Sequence, residues 1–283
     1  MKGLRLKRVR TPFWLPRVNL KHEILKSLDG VVRPGHVVVL SEKALSVALG
    51  LIVDEGLVRP SLASKVFTFL WMRLVWGYLL GPLCGLKRST LNALRKYPIR
   101  EGAAHKQLVL RVTGIMQAFK PFSEGGIDGS NLPYRYVSLP LPNPQELAEE
   151  VKGWVKAGLG VDVSVAIVDS DRTYVFKGTP LRFSARKTYV KGLVSLGFLA
   201  YIAGRLLRRW VKPFATPLAL AGLKLPIDTL LLIAEAADRL RGYGAGRNVF
   251  EMAERFKTSI NGVTWSMIRS VKHYPIILVE TLK

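Results

Sequence analysis

The sequence predicts an α+β fold in which helices flank a sheet-centred core. Two short apolar runs, at residues 37–40 and 161–168, have the length and the branched side chains of buried strands. Between them, Asn143 and Pro144 precede an apolar stripe with helical spacing, which is typical of a capped helix. With 283 residues, 49% of them hydrophobic, the chain is long enough to bury a full core.

Further elements follow from local patterns. A helical pattern covers residues 20–28, and short strands are predicted at 108–112 and 136–139. Glu146 stands where a capping box requires its carboxylate, and Gly160 ends the helix that begins there.

Charge and cysteine content limit the classes of function. Lysine and arginine outnumber acidic residues by 43 to 20, which gives a formal net charge of +23. Such an excess attracts nucleic acid, an anionic membrane surface or phosphorylated small molecules, although no helix-turn-helix or zinc-finger pattern is present. One cysteine, Cys84, excludes an internal disulfide framework, and the four scattered histidines show no metal-ligand spacing. A cytoplasmic protein is the expectation.

Two segments raise the question of a membrane. Residues 1–17 are basic and aromatic but lack the apolar core of a signal peptide. Residues 66–86 are nearly long enough to span a bilayer, but Arg73 lies near their middle and Gly81 precedes a proline. We expect no transmembrane span, and peripheral contact with a membrane surface or with nucleic acid stays open for both segments.

Residues 124–131 concentrate glycines and short polar side chains. The run contains three glycines, two carboxylates and two short polar side chains: Gly125, Gly126, Gly129, Glu124, Asp128, Ser130 and Asn131. These residues suit the approach of a phosphate or the ligation of a hard cation, and they equally suit a solvated turn. A second acidic run follows the strand predicted at 161–168 and consists of Asp169, Ser170 and Asp171. Carboxylates from both runs would suit one Mg²⁺ or Mn²⁺ ion, while turn capping by Asp169 or Asp171 is the alternative.

The order of these motifs resembles the gamma-glutamyl ligase family of deazaflavin coenzyme (F420) biosynthesis. That family shows an Ala-Gly-Ile-Asp-x-Ser-Asn element, matched here by residues 125–131, and later a strand ending in Asp-Thr, matched by Asp169 and Ser170. The helix start at Asp228 and the apolar run 273–279 resemble two later family elements. The resemblance implies a mixed, largely antiparallel sheet core with flanking helices.

The resemblance also implies a reaction. Members of the family use GTP to activate a carboxylate as an acyl phosphate, which the amine of L-glutamate attacks to form an amide. The implied metal ligands for Mn²⁺ or Mg²⁺ are Asp128, Asp169 and Ser170. The implied nucleotide or substrate contacts are Gly125, Gly126, Ser130, Asn131 and Asp171. Lys43 and Arg172 are added to them as candidate replacements for charged residues that the family has and this chain lacks. No catalytic residue is assigned, Asp228 is a further candidate that an N-cap role would also explain, and a homodimer is expected.

Departures from the family pattern keep a second function open. Where the family has lysine, glutamate and arginine after its first strand, this chain has Val47, Leu49 and Leu51. The first hypothesis is therefore a divergent nucleotide-dependent ligase, and the alternative is a catalytically lapsed relative that binds phosphorylated ligands or nucleic acid.

Three regions are expected. The sheet-centred region, residues 1–175, carries both carboxylate runs, residues 176–272 are mainly helical, and residues 273–283 return to the core as a strand. Within the second region, Asn248 and Glu251 predict a capped helix in the segment 242–272. That segment is consistent with a dimer contact, a substrate lid or surface packing.

Overall fold

The computed structural model describes residues 3–122 and 124–281. The ends of the expected basic arm (1–2) and of the expected final strand (282–283) lie outside these residues. The strands are β1 (Leu4–Thr11), β2 (Val37–Ser41), β3 (Ile52–Asp54), β4 (Tyr136–Ser138), β5 (Ser164–Phe176), β6 (Arg182–Ser184), β7 (Val194–Ser195), β8 (Val211–Ala221) and β9 (His273–Thr281).

Helices surround these strands. They are α1 (Leu20–Leu28), α2 (Glu42–Ala48), α3 (Leu62–Phe67), α4 (Gly81–Leu83), α5 (Arg88–Arg95), α6 (Ile99–Val112), α7 (Ile115–Ala118), α8 (Pro144–Leu159), α9 (Phe198–Leu206), α10 (Ile227–Arg241), α11 (Val249–Arg255) and α12 (Trp265–Arg269). A π-helical segment, Thr68–Leu80, joins α3 to α4, so that Leu62–Leu83 is one continuous helix.

The main sheet is mixed and largely antiparallel, which confirms the expected fold class. Its strand order is β1-β9-β2-β5-β6-β7, and β8 pairs with β5. Strands β2 and β5 pair in parallel, as do β6 and β7, while the other pairings in this sheet are antiparallel. The segment 176–272 therefore contributes strands β6, β7 and β8 to the sheet as well as helices.

Both faces of the sheet are covered, because side chains alternate along each strand. Val38 and Leu40 of β2 pack in a core beneath α1 and α8. Val37 and Val39 pack in a second core beneath α10. Burial on both faces explains why β2 reads as a continuous apolar run in the sequence.

Helix α8 begins and ends where the sequence predicts. Asn143 is its N-cap residue and Pro144 its first residue, and Gly160 closes it in the left-handed conformation at φ 69°. The capping contact differs from a capping box, because the Asn143 Nδ2 donates to Glu146 Oε2 at 2.8 Å while its side chain accepts no backbone hydrogen bond.

Three sequence-based expectations are wrong. Residues 108–112 are not a strand but the end of α6, because the apolar run continues a longer helical pattern that begins at Ile99. Strand β5 does not stop before Asp169 but continues to Phe176, and its pairing with β8 is irregular between Asp169 and Arg172. Asp228 is not an N-cap: it lies in the first turn of α10, whose N-cap is Pro226.

Residues 3–17 and 66–86, which raised the membrane question, both contribute regular secondary structure. The basic N-terminal run contributes β1, which pairs along its length with β9. The helix Leu62–Leu83 has the length and the composition to cross a membrane, with a mean hydropathy of 1.3, and 28% of its most apolar stretch is buried. Length and composition alone do not separate a span from a helix packed on a folded domain.

Candidate functional site

A cavity of about 210 Å³ collects residues from both predicted motifs and from the C-terminal segment. Its motif-derived lining residues are Lys43, Asp128, Ser130, Asn131, Asp169 and Ser170. Its C-terminal lining residues include Asp238, Arg241, Tyr243, Arg247, Lys272 and His273. The two carboxylate runs, separated in the sequence, therefore face one space.

Lys43 and the Asp128 turn form one hydrogen-bonded unit. The Lys43 ammonium, in the first turn of α2, pairs with Asp128 and donates to Ser130 Oγ at 2.5 Å. Within the turn, Ser130 N donates to Asp128 Oδ1 at 2.7 Å, and Ser130 Oγ donates to Oδ2 at 2.9 Å. Because the Asp128 side chain stays 41% exposed, its carboxylate is open to a ligand in the cavity.

Asn131 acts on the C-terminal segment rather than on the cavity alone. Its Oδ1 accepts from Ala245 N at 2.5 Å, and its Nδ2 donates to Gly246 O at 3.2 Å. Asn131 itself has a positive φ of 58°, a conformation that asparagine tolerates better than most residues. The Ser-Asn pair thus divides its roles: Ser130 binds Lys43, and Asn131 fixes residues 245–246.

The buried Arg186 side chain fixes the position of the Asp169 carboxylate. Arg186 Nη1 donates to Asp169 Oδ2 at 2.5 Å and also pairs with Glu42, while Nη2 donates to Glu42 Oε1 at 2.9 Å. Ser170 N closes the other side of the carboxylate by donating to Asp169 Oδ1 at 2.7 Å. The orientation of Asp169 is therefore fixed before any ligand enters.

The Glu42 and Asp169 carboxylates, which share the Arg186 guanidinium, have pKa values that are shifted in opposite directions. Burial raises the pKa of Glu42 to about 7, and the charge of Asp169 adds to this although Arg186 opposes it. Burial acts in the same direction on Asp169, but the charge and hydrogen bond of Arg186 outweigh it and lower its pKa. Asp169, which faces the cavity, is therefore the more readily ionised carboxylate of this pair.

Five other candidates lie apart from the cavity lining: Gly125, Gly126, Asp171, Arg172 and Asp228. Asp171 is buried and accepts from Lys120 Nζ at 3.1 Å, and burial raises its pKa to about 6 although Lys120 opposes the shift. Arg172 donates to Glu235 at 2.7 Å. Asp228 forms a two-pronged pair with Arg182 at 2.8 Å, and its side chain is 66% exposed.

A buried ionic network supports the glycine-rich turn. Glu124, immediately before the turn, pairs with both His105 and Lys106 of α6, and His105 Nδ1 also contacts Glu55 at 2.5 Å. Burial would lower the pKa of His105, but the two carboxylates outweigh it and raise that pKa to about 10. Gly125 and Gly126 follow with φ of 74° and 100° and carry the chain from this network to Asp128.

Sequence patterns did not reveal the C-terminal wall of the cavity. Arg241 ends α10, Arg247 precedes α11, and Lys272 precedes β9, yet all three line the same space. The Arg247 guanidinium lies over the Tyr243 ring at 4.5 Å from its centroid. The only sequence signal was the surplus of positive charge in this segment, which names no particular residue.

The donor chemistry of the cavity fits a hard cation. Asp128, Asp169 and Ser170 present only oxygen atoms, which Mg²⁺ and Mn²⁺ prefer. Among residues 3–122 and 124–281, no group of three or more His, Cys, Asp or Glu side chains is gathered to hold a metal ion. This small number of protein ligands is consistent with a cation that takes its other ligands from water and phosphate.

Fold and cavity define the class: an α+β protein whose mixed sheet carries a polar cavity lined by two aspartates and several basic side chains. The chain belongs to the F420-0:gamma-glutamyl ligase family, whose model matches residues 8–182. It is also 34% identical over 267 residues to the uncharacterized protein MJ1361 of Methanocaldococcus jannaschii, covering 91% of this chain and 89% of that protein.

Family membership confirms the resemblance inferred from the motifs and indicates a ligase-type function in coenzyme F420 biosynthesis. Lys43, Asp128 and Asp169 lie within the matched residues, whereas Arg241, Arg247 and Lys272 lie beyond them. The basic wall of the cavity thus comes from outside the part of the chain that matches the family.

Proposed function

We propose that the protein is a GTP-dependent ligase that joins a carboxylic acid to an amine through an acyl phosphate, with Mn²⁺ or Mg²⁺. The observation that carries this proposal is the position of Asp128 and Asp169, one from each family motif, on one cavity beside Lys43. Paired carboxylates next to a lysine are suited to binding a phosphate-bound cation and the phosphate itself.

The proposed reaction has two steps. A carboxylate oxygen of the acid attacks the γ-phosphorus of GTP, which forms the acyl phosphate and releases GDP. The amine then attacks the acyl carbon, expels inorganic phosphate and loses a proton as the amide forms. When bound, the divalent cation would offset charge on the transferred phosphoryl group.

Individual side chains have separate parts in this proposal. Asp128 and Asp169 would hold the cation, with Ser170 as a further oxygen donor. Lys43 would exchange its contact with Asp128 for a phosphate oxygen, because its ammonium already lies at the cavity wall. The flanking basic side chains would attract the anionic acid and nucleotide.

The absence of three charged residues that the family has after its first strand favours a substrate different from that of the family. Val47 stands in place of the family's lysine and lines the cavity as an apolar residue. Arg241, Arg247 and Lys272 supply positive charge on the C-terminal wall of that cavity. We therefore propose that the acid substrate contacts the basic groups on this wall and an apolar surface at Val47.

Calorimetry of GTP and ATP binding, with and without Mn²⁺, tests the proposal. Wild-type protein is expected to bind GTP more tightly with Mn²⁺ than without it. In Asp128→Asn this metal-dependent increase in GTP affinity is expected to be at least tenfold smaller. Asp228→Asn is the matched control, because Asp228 pairs with Arg182 away from the cavity and is expected to leave the gain unchanged.

Absence of nucleotide affinity in the presence of Mn²⁺ would overturn the ligase proposal. Co-purified RNA or DNA that dissociates steeply with salt would then support the alternative, a lapsed relative that binds polyanions through its basic surface. The expected homodimer is a separate proposal, and analytical ultracentrifugation of the full chain measures it.

A further inference from the structure

The helix Leu62–Leu83 carries two opposite stripes. One stripe is buried against the domain and recurs every four or five residues, the repeat of a π-helical segment: Ser64, Thr68, Met72, Trp76 and Gly81. The other stripe recurs with the same spacing, is exposed and is wholly apolar: Leu62, Val66, Leu70, Leu74, Leu79 and Leu83. An exposed apolar row of this length on a folded domain marks an interaction site.

Helix α9 lies beside this helix and carries exposed apolar side chains of its own. Phe198 contacts the Trp71 and Trp76 rings at centroid distances of 5.9 and 6.3 Å, and Arg208 lies against Gly85 at the far end. Exposed apolar side chains on and after α9 are Leu199, Leu206, Leu207 and Trp210. We call these four residues and the exposed stripe of Leu62–Leu83 the apolar face.

The sequence segments that carry the apolar face contain basic residues but no acidic ones. No aspartate or glutamate occurs between residues 56 and 100 or between residues 172 and 227. The exposed basic residues of these segments include Lys65, Lys87, Arg88, Arg208, Arg209 and Lys212. An apolar surface accompanied by lysine and arginine is complementary to the interface of an anionic bilayer.

We propose that the apolar face attaches the protein peripherally to an anionic lipid bilayer, with the helix Leu62–Leu83 lying along the membrane surface. The exposed leucines would enter the boundary between headgroups and acyl chains, and the basic side chains would contact lipid phosphates. Trp210 is 67% exposed and has the aromatic character that favours this boundary.

Two other occupants fit the structure less well. A transmembrane orientation would remove Met72 and Trp76 from a core shared with Tyr174 and Phe183 of the sheet. It would also break the hydrogen bond from Arg73 Nε to Tyr97 O at 2.7 Å. A second copy of the chain placed on this face would bring like-charged basic groups together, which costs free energy.

Vesicle flotation of the full chain tests the proposal, which does not depend on the ligase reaction. Wild-type protein is expected to float with vesicles of phosphatidylglycerol and phosphatidylcholine, and to bind pure phosphatidylcholine at least tenfold more weakly. Leu70→Glu with Leu74→Glu is expected to abolish flotation. The matched control is Leu223→Glu with Leu232→Glu, two exposed leucines outside the face, which is expected to float like wild type.

Charge reversal separates the basic from the apolar contribution. Arg208→Glu with Arg209→Glu is expected to weaken binding at least tenfold, whereas Lys21→Glu with Lys26→Glu on α1 makes the same charge change and is expected to have a smaller effect. Quenching by brominated lipid is expected in wild type and reduced in Trp210→Phe. Circular dichroism and thermal melting establish that each variant remains folded.

Several results would overturn the proposal. They are equal recovery with anionic and neutral vesicles, binding that survives the Leu70 and Leu74 changes, and membrane association that resists alkaline carbonate, which indicates a span. A dimer that dissociates in the Leu70 and Leu74 variant, with no lipid binding in wild type, would assign the face to a second copy instead.

Discussion

Arg186 donates to Asp169 at 2.5 Å while the same guanidinium pairs with Glu42, so one buried cation positions carboxylates of two different elements. Glu42 lies in the first turn of α2 beside Lys43, and Asp169 lies in the irregular part of β5. Glu42 Oε1 also accepts from Leu141 N at 3.1 Å. Arg186 therefore couples α2 to β5 beneath the cavity.

Replacing Arg186 tests this coupling. Arg186→Lys retains the charge but loses the planar fork, so Glu42 and Asp169 cannot both keep their contacts. Because Arg186 and Glu42 are buried, the free energy of unfolding is expected to fall by about 3 kcal/mol or more in urea titrations. Arg182→Lys, which weakens an exposed pair with Asp228, is the control and is expected to change stability by less than about 1 kcal/mol. Similar losses in both variants would contradict this role.

Replacing Gly126 or Gly153 by alanine is expected to change the stability of the protein in opposite directions. Gly126 has φ 100°, and a Cβ there would lie 3.0 Å from Pro140 Cβ and 3.1 Å from Arg186 Nη1. Gly126→Ala is therefore expected to destabilise the protein by about 1 to 3 kcal/mol. Gly153 lies inside α8, and a Cβ added there would meet no atom within 4 Å, so Gly153→Ala is expected to stabilise by about 0.5 to 1 kcal/mol. Thermal and urea unfolding measure both signs, and a stabilising Gly126→Ala would refute the strain argument.

Sequence patterns predicted the parts of the fold whose signals are local. Strand β2 reads as an apolar run because both of its faces are buried, and α8 is marked by Asn143, Pro144 and Gly160. The run 108–112 misled because four apolar residues in five fit either a strand or the last turn of a helix. Its helical state follows from α6 as a whole.

The candidate site was predictable to the extent that motifs identify it. Asp128 and Asp169 were predicted as site residues from their motifs, and both line one cavity. Arg186 was missed, because a buried arginine between two carboxylates has no local sequence pattern. Arg241 and Arg247 were missed because their approach to the cavity depends on the return of the chain from α10 through α11.

The buried His105 network predicts a loss of stability at alkaline pH. The folded state raises the pKa of His105 to about 10 from an ordinary value near 6.5, so the folded protein retains a proton that the unfolded chain releases. The stabilisation is complete below about pH 6.5 and is lost as pH rises through about 10, by up to about 1.4 kcal/mol per pH unit.

Urea titrations between pH 7 and 10 compare His105→Gln with wild type. The variant is expected to be less stable at pH 7 and to lose less stability as the pH rises, because it releases no imidazole proton. Burial lowers the pKa of Lys106, which acts in the opposite direction in both proteins, so the difference between them reports His105. His22→Gln, an exposed control on α1, is expected to retain the wild-type slope; equal slopes in all three proteins would exclude this role.

Asn131 is expected to hold the C-terminal wall of the cavity. Its side chain accepts from Ala245 N at 2.5 Å and donates to Gly246 O at 3.2 Å, next to the cavity residues Tyr243 and Arg247. Asn131→Gly tolerates the positive φ but removes both contacts, so it isolates the tether from backbone strain. Hydrogen exchange at Ala245 N is expected to accelerate about five- to thirtyfold, equivalent to about 1 to 2 kcal/mol. Asn131→Asp keeps the acceptor for Ala245 N and is expected to preserve most of its protection. Unchanged Ala245 exchange in Asn131→Gly would show that other contacts hold this wall.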